Sequence, residues 1–298
     1  MTLALTLALL TGCGGGNTET KTNDQTQQPA ASSSAAASSV AQEEKAEVRT
    51  EELWLQNGEK RIFGTMYLPA EEQETYPVVI LSHGFGGSSI DNKLYAKTFA
   101  EAGYAAYAFD YCGGGRGSQS DGEMTEMSVL TEAEDLNAVI DQVKELDYVD
   151  ASQLFLMGQS QGGFVSAYVA AQRPEDVAAL VLYYPAFALQ DGARERDPDP
   201  DNIPETEVVM NNTIGAIYTI DALSFDIYDV IGDYHDDVQI LHGDLDDVVP
   251  ISYSERAVDI YDAAELTVMK GSSHGFAGKV QREAAALTLD FLQAHTAQ

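Results

Sequence analysis

A serine framed by two glycines, Gly158-Gln159-Ser160-Gln161-Gly162, stands between the apolar run Leu154 to Met157 and a helix-forming stretch from Phe164. That spacing suits a sharp strand-to-helix turn, because glycines two residues either side let the backbone close tightly without Cβ clashes. Such a turn exposes the Ser160 hydroxyl. It also sets the backbone N–H of Gln161 at a helix N-terminus, where unpaired donors and the helix dipole favour negative charge. A nucleophile and half an oxyanion hole would come from one turn. The same pattern arises by chance in glycine-rich chains, so its weight rests on a base, an acid and a second donor at the ends of other strands.

A serine hydroxyl is a poor nucleophile at neutral pH and needs a base within hydrogen-bond reach, itself oriented by a third group. Five histidines are available. His83 and His242 each precede a glycine at a strand end, a position that more often shapes a turn than moves protons. His235 is near the end of an irregular region and His295 is in the C-terminal tail. His274, in Gly271-Ser272-Ser273-His274-Gly275-Phe276, sits in a small-residue loop after the last strand and has room to reach Ser160. For the orienting carboxylate, Asp244, Asp246 and Asp247 compete, and by themselves they read equally well as a solvated acidic turn.

These residues need a scaffold that gathers strand ends. Leu53 to Leu68 alternates apolar and polar residues around Asn57-Gly58, a hairpin signal with a two-residue turn. Pro77 to Ser82 is a continuous apolar run of buried-strand type ending in His83-Gly84-Phe85-Gly86-Gly87. The spacing then predicts a helix over 91–102, a strand over 104–109, a helix over 127–146 with apolar residues on one face, and the strand before Ser160. A further strand follows over 177–184, then a core strand over 238–242, a helix over 251–262, a strand over 266–270 and a last helix over 279–294. Strands alternating with helices imply a mostly parallel sheet covered on both faces. The glycine-rich loop Gly113 to Gly117 lacks the Gly-Lys-Ser/Thr of a phosphate loop and the glycine spacing of a dinucleotide site, so it reads as a strand-to-helix turn.

The pattern breaks between Pro185 and Asp237, where Asp197-Pro198-Asp199-Pro200-Asp201 and Pro204 interrupt it and a mixed helical stretch is expected after them. A long excursion from a compact core is usually functional or disordered. We read residues 186–236 as a cap inserted over the site between strands 6 and 7, with Tyr218, Phe225 and Tyr228 either lining its underside or forming its own small core.

The N-terminus carries a different message. Met1 to Leu10 is apolar yet too short to span a bilayer, and Leu10-Thr11-Gly12-Cys13 follows it. This resembles a bacterial lipobox, which implies a signal peptide over 1–12, cleavage before Cys13 and lipid on that cysteine. Residues 13–46 add a Ser-, Ala-, Thr- and Gln-rich tether too poor in large apolar residues to fold. The folded domain then spans 47–298 of a chain held outside a membrane, and Cys112, the second of two cysteines, is left without a partner. The formal charge of -32, from 48 acidic and 16 basic residues, disfavours nucleic acid and anionic surfaces as partners.

Taken together, the glycine-framed serine, His83 to Gly87, His242-Gly243-Asp244-Leu245-Asp246-Asp247-Val248-Val249-Pro250 and Ser273-His274-Gly275 resemble the α/β-hydrolase superfamily, in the chain order Ser, Asp, His. The resemblance runs from about Glu47 to the C-terminus. It implies the α/β-hydrolase fold, a serine hydrolase without metal or organic cofactor, and the aspartate of His-Gly-x-x-Asp-x-x-Val-Pro, here Asp246, as the acid. Within the superfamily the chain is similar to bacterial cinnamoyl and feruloyl esterases and to serine-aminopeptidase-like relatives, sharing the His-Gly-Phe-Gly opening and the segment 121–127. That likeness implies the Phe85 N–H as second oxyanion donor beside Gln161, and small esters, including aryl or hydroxycinnamoyl esters, as substrates. Gly113 to Gly117 departs from the usual turn by being longer and richer in glycine, which bears on the shape of the acyl pocket. A peptidase of short peptides and a non-catalytic surface binding protein are the competing expectations.

Overall fold

The hairpin forms around Gly58-Glu59, one residue later than its sequence signal suggests: β1 (Arg49–Asn57) pairs with β2 (Lys60–Leu68), closing at Asn57 opposite Lys60. Gly58 takes the left-handed φ of 59° at the first loop position, which glycine adopts without a Cβ penalty. The computed structural model describes residues 47–297, so the signal peptide, the lipobox with Cys13 and the tether lie outside the described residues.

After the hairpin, strand and helix alternate as their periodicities require. The elements are β3 (Tyr76–Ser82), α1 (Lys93–Glu101), β4 (Ala105–Phe109), α2 (Val129–Val143), β5 (Val149–Gln159), α3 (Gln161–Gln172) and β6 (Ala179–Tyr183). The cap region holds α4 (Leu189–Arg196), β7 (Thr206–Val209), β8 (Asn212–Gly215) and α5 (Ala216–Ala222). The core resumes with β9 (Val238–Gly243), α6 (Ser252–Val258), β10 (Ala264–Met269) and α7 (Gly278–His295). Eight strands form one sheet in the order β1-β2-β4-β3-β5-β6-β9-β10, antiparallel at β1, β2 and β4 and parallel from β4 onward.

The continuous apolar runs are explained by burial on both faces. Along β3, Val78 and Ile80 join the core under α2 and α3, whereas Val79 and Leu81 join the core under α1 and α7. β5 repeats the division, with Leu154 and Leu156 on one side and Phe155 and Met157 on the other. This is the α/β-hydrolase architecture expected from the sequence. Its parallel strands β3, β5, β6, β9 and β10 bring their carboxyl ends to one edge, where ligands bind in open α/β sheets.

Three local expectations need correction. The first turn of the helix expected from Asp91 is a 3₁₀ turn, Ser89–Asn92, and α1 starts at Lys93. The helix expected over 251–262 stops at Val258, because Tyr261 turns inward to be buried and the chain must enter β10 at Ala264. The cap sits between the sixth and seventh strands of the sheet as expected, but its middle is an antiparallel hairpin, not helix. That hairpin turns through Met210-Asn211, with φ values of 47° and 65°. Two-residue turns of this class favour Asn-Gly, and a methionine in the first position hides the signal.

Candidate active site

Ser160 lies between the last residue of β5 and the first of α3, with φ 52° and ψ -117°. A non-glycine residue there is strained, and the surroundings over-determine it. Its N–H donates to the Tyr183 carbonyl at 2.9 Å, and its own carbonyl accepts from Gly163, Phe164 and Ala186 at 3.0, 3.1 and 2.9 Å. The flanking glycines serve close approach. A Cβ on Gly158 would fall 2.2 Å from the Gly162 carbonyl oxygen, and one on Gly162 would fall 2.4 Å from that of His83. The turn is therefore wedged against the loop after β3.

The loops after β9 and β10 bring their side chains to the same point. His274 Nε2 accepts from the Ser160 hydroxyl at 2.9 Å, and His274 Nδ1–H donates to Asp246 at 2.7 Å. The Asp246 side chain is fully buried, and its other oxygen accepts the Val248 and Val249 N–H groups at 3.0 and 2.8 Å. The competing acids sit elsewhere: Asp244 accepts from Gly271 N–H at 2.6 Å and pairs with Lys270, while Asp247 is exposed. The geometry separates three aspartates that composition alone leaves equivalent.

The other histidines hold loops or face solvent. His83 Nδ1–H donates to the Gly84 carbonyl at 2.8 Å and its Nε2 accepts the Tyr111 N–H at 3.1 Å, tying the loop after β3 to the loop after β4. His242 accepts from Ser254 through Nδ1 and donates to the Val249 carbonyl through Nε2, each at 2.8 Å; that Nε2 is also 3.2 Å from Asp246. Burial pushes both imidazoles below the ordinary histidine range, so they stay neutral. His235 is exposed beside Asp262, and His295 caps the Phe291 carbonyl.

Phe85 and Gln161 line one cavity with Ser160 and His274, a space of about 540 Å³. A Cβ on Gly84 would lie 3.1 Å from the Ser160 Cβ, so the backbone leading into Phe85 runs directly beside the nucleophile. The cap supplies the opposite wall through Leu189, Arg196, Val209, Met210 and Tyr218. Phe225 and Tyr228 are not in it. Phe225 packs on Phe164 and Tyr168, and Tyr228 lies under Arg256 with its hydroxyl on the Tyr253 carbonyl.

The glycine-rich loop braces the site from outside the cavity. Gly115 N–H donates to the Gly87 carbonyl at 3.1 Å, and a Cβ on Gly115 would fall 1.9 Å from the Gly86 carbonyl oxygen. Its glycine content answers to that backbone contact. Cys112 is a buried free thiol whose pKa is pushed up by burial and then by Asp135, which keeps it protonated; Asp135 also accepts the Cys112 N–H at 2.7 Å. Among the described residues no group of three or more His, Cys, Asp or Glu is placed to hold a metal, and no helix is long and apolar enough to cross a membrane.

Two contributors carry no sequence signal strong enough to single them out. Tyr184, at φ 36°, presents its ring to His274 with centroids 4.8 Å apart, and its hydroxyl donates to Gln159. Glu132 is buried under Gln161 and accepts from its side-chain amide at 2.8 Å. A charge one turn before Leu136 on the apolar face of α2 was the available hint.

Residues 73–219 match the family model described as serine aminopeptidase, S33 (Hydrolase_4). The fold superposes with a TM-score of 0.75 on the ferulic-acid-bound Est1E of Butyrivibrio proteoclasticus, at 25% identity, covering 82% of this chain and 98% of that one. A 31.7 kDa Escherichia coli protein from the traX-finO intergenic region is 38% identical over 91 residues, 30% of each chain. The acylamino-acid-releasing enzyme of Sus scrofa is 29% identical over 125 residues, 40% of this chain and 16% of that protein. The chain thus spans about 30% of the E. coli relative and far less of the longer mammalian one.

Proposed function

We propose that this chain, a member of the α/β-hydrolase superfamily, is a lipid-anchored serine carboxylesterase that cleaves small esters through an acyl-enzyme. The observation that carries the proposal is the unbroken relay from Asp246 through His274 to Ser160, at 2.7 and 2.9 Å, opening on a cavity beside Phe85 and Gln161. Ser160 attacks the ester carbonyl while His274 takes the hydroxyl proton. Asp246 holds the imidazole with Nε2 facing the serine and stabilises the imidazolium without taking its proton. The backbone N–H groups of Phe85 and Gln161 stabilise the tetrahedral oxyanion, each worth about 3 kcal/mol of barrier in comparable enzymes. His274 then protonates the departing alcohol. Water enters, His274 deprotonates it, and the second tetrahedral species collapses to acid and free serine.

Aryl and hydroxycinnamoyl esters are the favoured substrates. The support is the likeness to Est1E, which binds ferulic acid, together with a cavity walled by Phe85, Leu189, Val209, Met210 and Tyr218. The lipobox-like Leu10-Thr11-Gly12-Cys13 supports anchoring through Cys13 and a site facing away from the cytoplasm. A peptidase reading is favoured by the family description and by Asp91 at the cavity, a carboxylate able to receive a peptide amine.

Turnover of methyl hydroxycinnamates, short p-nitrophenyl esters and aminoacyl-arylamides tests the choice. The esterase reading expects kcat/KM to favour the esters, and a preference for the amides would overturn it. Metabolic lipid labelling tests the anchor: it should vanish in Cys13→Ala, and labelling that survives would refute attachment there.

A further inference from the structure

Two buried groups that the relay leaves unused, Glu132 and Tyr218, converge on the side chain of Gln161. Gln161 Nε2–H donates to Glu132 Oε2 at 2.8 Å, and its Oε1 accepts the Tyr218 hydroxyl at 2.6 Å. All three residues are at most 5% exposed, so both ends of the amide are paired where water cannot substitute. Met127 Sδ adds a weak contact at 3.5 Å. The Tyr218 ring also packs on Phe85, with centroids 5.4 Å apart. One cap residue therefore touches both residues assigned to the oxyanion hole.

The helix carrying Tyr218 is itself pinned to the core. Ser128, the N-cap of α2, donates through its hydroxyl to Asp221 on α5. Gly215 meets the Thr125 carbonyl so closely that a Cβ there would lie 2.0 Å from it. The segment 121–127 thus forms the seat for the cap, and α2 continues from that seat down to Glu132.

We infer that Tyr218 and Glu132 are positioning residues of the oxyanion hole, clamping Gln161 from cap and core so that its backbone N–H faces the reacting oxygen. The inference rests on the serine-hydrolase reading above. Rotation of Gln161 would break two buried hydrogen bonds at once, and release of Tyr218 would loosen Phe85 in the same movement. The cap then contributes to rate as well as to substrate shape.

The test compares wild type, Tyr218→Phe, Glu132→Leu and Glu132→Gln by kcat and KM on a p-nitrophenyl ester. It adds the inhibition constant of an aryl trifluoromethyl ketone, whose adduct with a serine places an oxyanion in the hole. Tyr218→Phe and Glu132→Leu should each lower kcat and weaken the ketone by about tenfold in parallel, with KM within about twofold, since a misplaced donor acts on the transition state. Glu132→Gln keeps an acceptor for Gln161 and should restore both values at pH 7. A rise in KM with kcat and ketone affinity unchanged would overturn the positioning role, as would a Tyr218→Phe enzyme indistinguishable from wild type. If Glu132→Leu does not fold, Tyr218→Phe decides alone. A wild type that binds the ketone but turns over no ester sinks the ester reading and leaves the ketone comparison to judge the clamp. A wild type that does neither overturns both.

Discussion

Replacing Glu132 by Gln should change how stability depends on pH. Glu132 is 2% exposed on α2, and burial pushes its carboxyl from an ordinary 4.5 up to about 8, opposed by the Gln161 hydrogen bond and reinforced by Asp135. The groups facing it are Asp135 on the same helix, Gln161 on α3, Tyr218 on α5 and Tyr111 in the loop after β4. The native protein holds this proton to about pH 8, whereas the unfolded chain releases it near 4.5. Stability contributed by the neutral group is fully present below 4.5 and is lost as pH rises toward 8. At 1.36 kcal/mol for each pH unit, the whole span is worth about 5 kcal/mol at most. Glutamine has the same shape, keeps an acceptor and carries no proton to lose. Urea unfolding of both proteins at pH 5, 7 and 9 measures the difference, because the contribution of Asp135, itself raised by burial, is largely common to both. The expected result is a variant whose advantage over wild type grows by several kcal/mol between pH 5 and 9. Parallel stability curves would show that the native protein does not hold the Glu132 proton above the range in which the unfolded chain releases it, the opposite of what burial here requires.

Other substitutions probe the relay and its brace. Asp246→Asn should lower kcat by about 10⁴-fold through loss of the correct imidazole tautomer, while Asp244→Asn and Asp247→Asn stay within about threefold; equal effects would remove Asp246 from its role. Gly115→Ala drives a methyl group into the Gly86 carbonyl and should displace the loop that carries Phe85, lowering kcat by about 10²-fold with a smaller change in KM. A Gly115→Ala enzyme with full activity would mean that the glycine-rich loop does not support the oxyanion site.

Much of this molecule is legible without coordinates because strand ends are marked chemically. Apolar runs buried on both faces stop at the His83, Ser160 and Asp246 loops, the half-buried edge strand β10 stops before His274, and small residues there announce close backbone contacts. A mostly parallel sheet covered on both faces follows from those runs, whereas the strand order β1-β2-β4-β3-β5-β6-β9-β10 is visible only in the folded chain. The site is readable less evenly. Ser160 and His274 stand out by residue type and room, but residue type leaves Asp246 level with Asp244 and Asp247: the resemblance to His-Gly-x-x-Asp-x-x-Val-Pro singles it out, and the fold sets it apart by burial, its bond to His274 and two backbone donors. The cap is least legible, since its hairpin turns through Met210-Asn211 and its key residue, Tyr218, acts through a partner 57 residues away. Periodicity reports which face is buried; it does not report which buried polar group meets which. The Gln161 side chain illustrates the gap: the backbone N–H of this residue is legible in the glycine-framed turn, but the pairing of its amide with Glu132 arises only from the packing of α2 against α3.

Every step of the proposed reaction depends on Ser160 acting as the nucleophile, activated by His274. Reaction with a fluorophosphonate probe, followed by intact mass and peptide mapping, tests it most directly. One label per chain is expected, on Ser160, abolished in Ser160→Ala and strongly slowed in His274→Ala. Labelling that persists in Ser160→Ala, or that maps to another residue in the wild type, would contradict it.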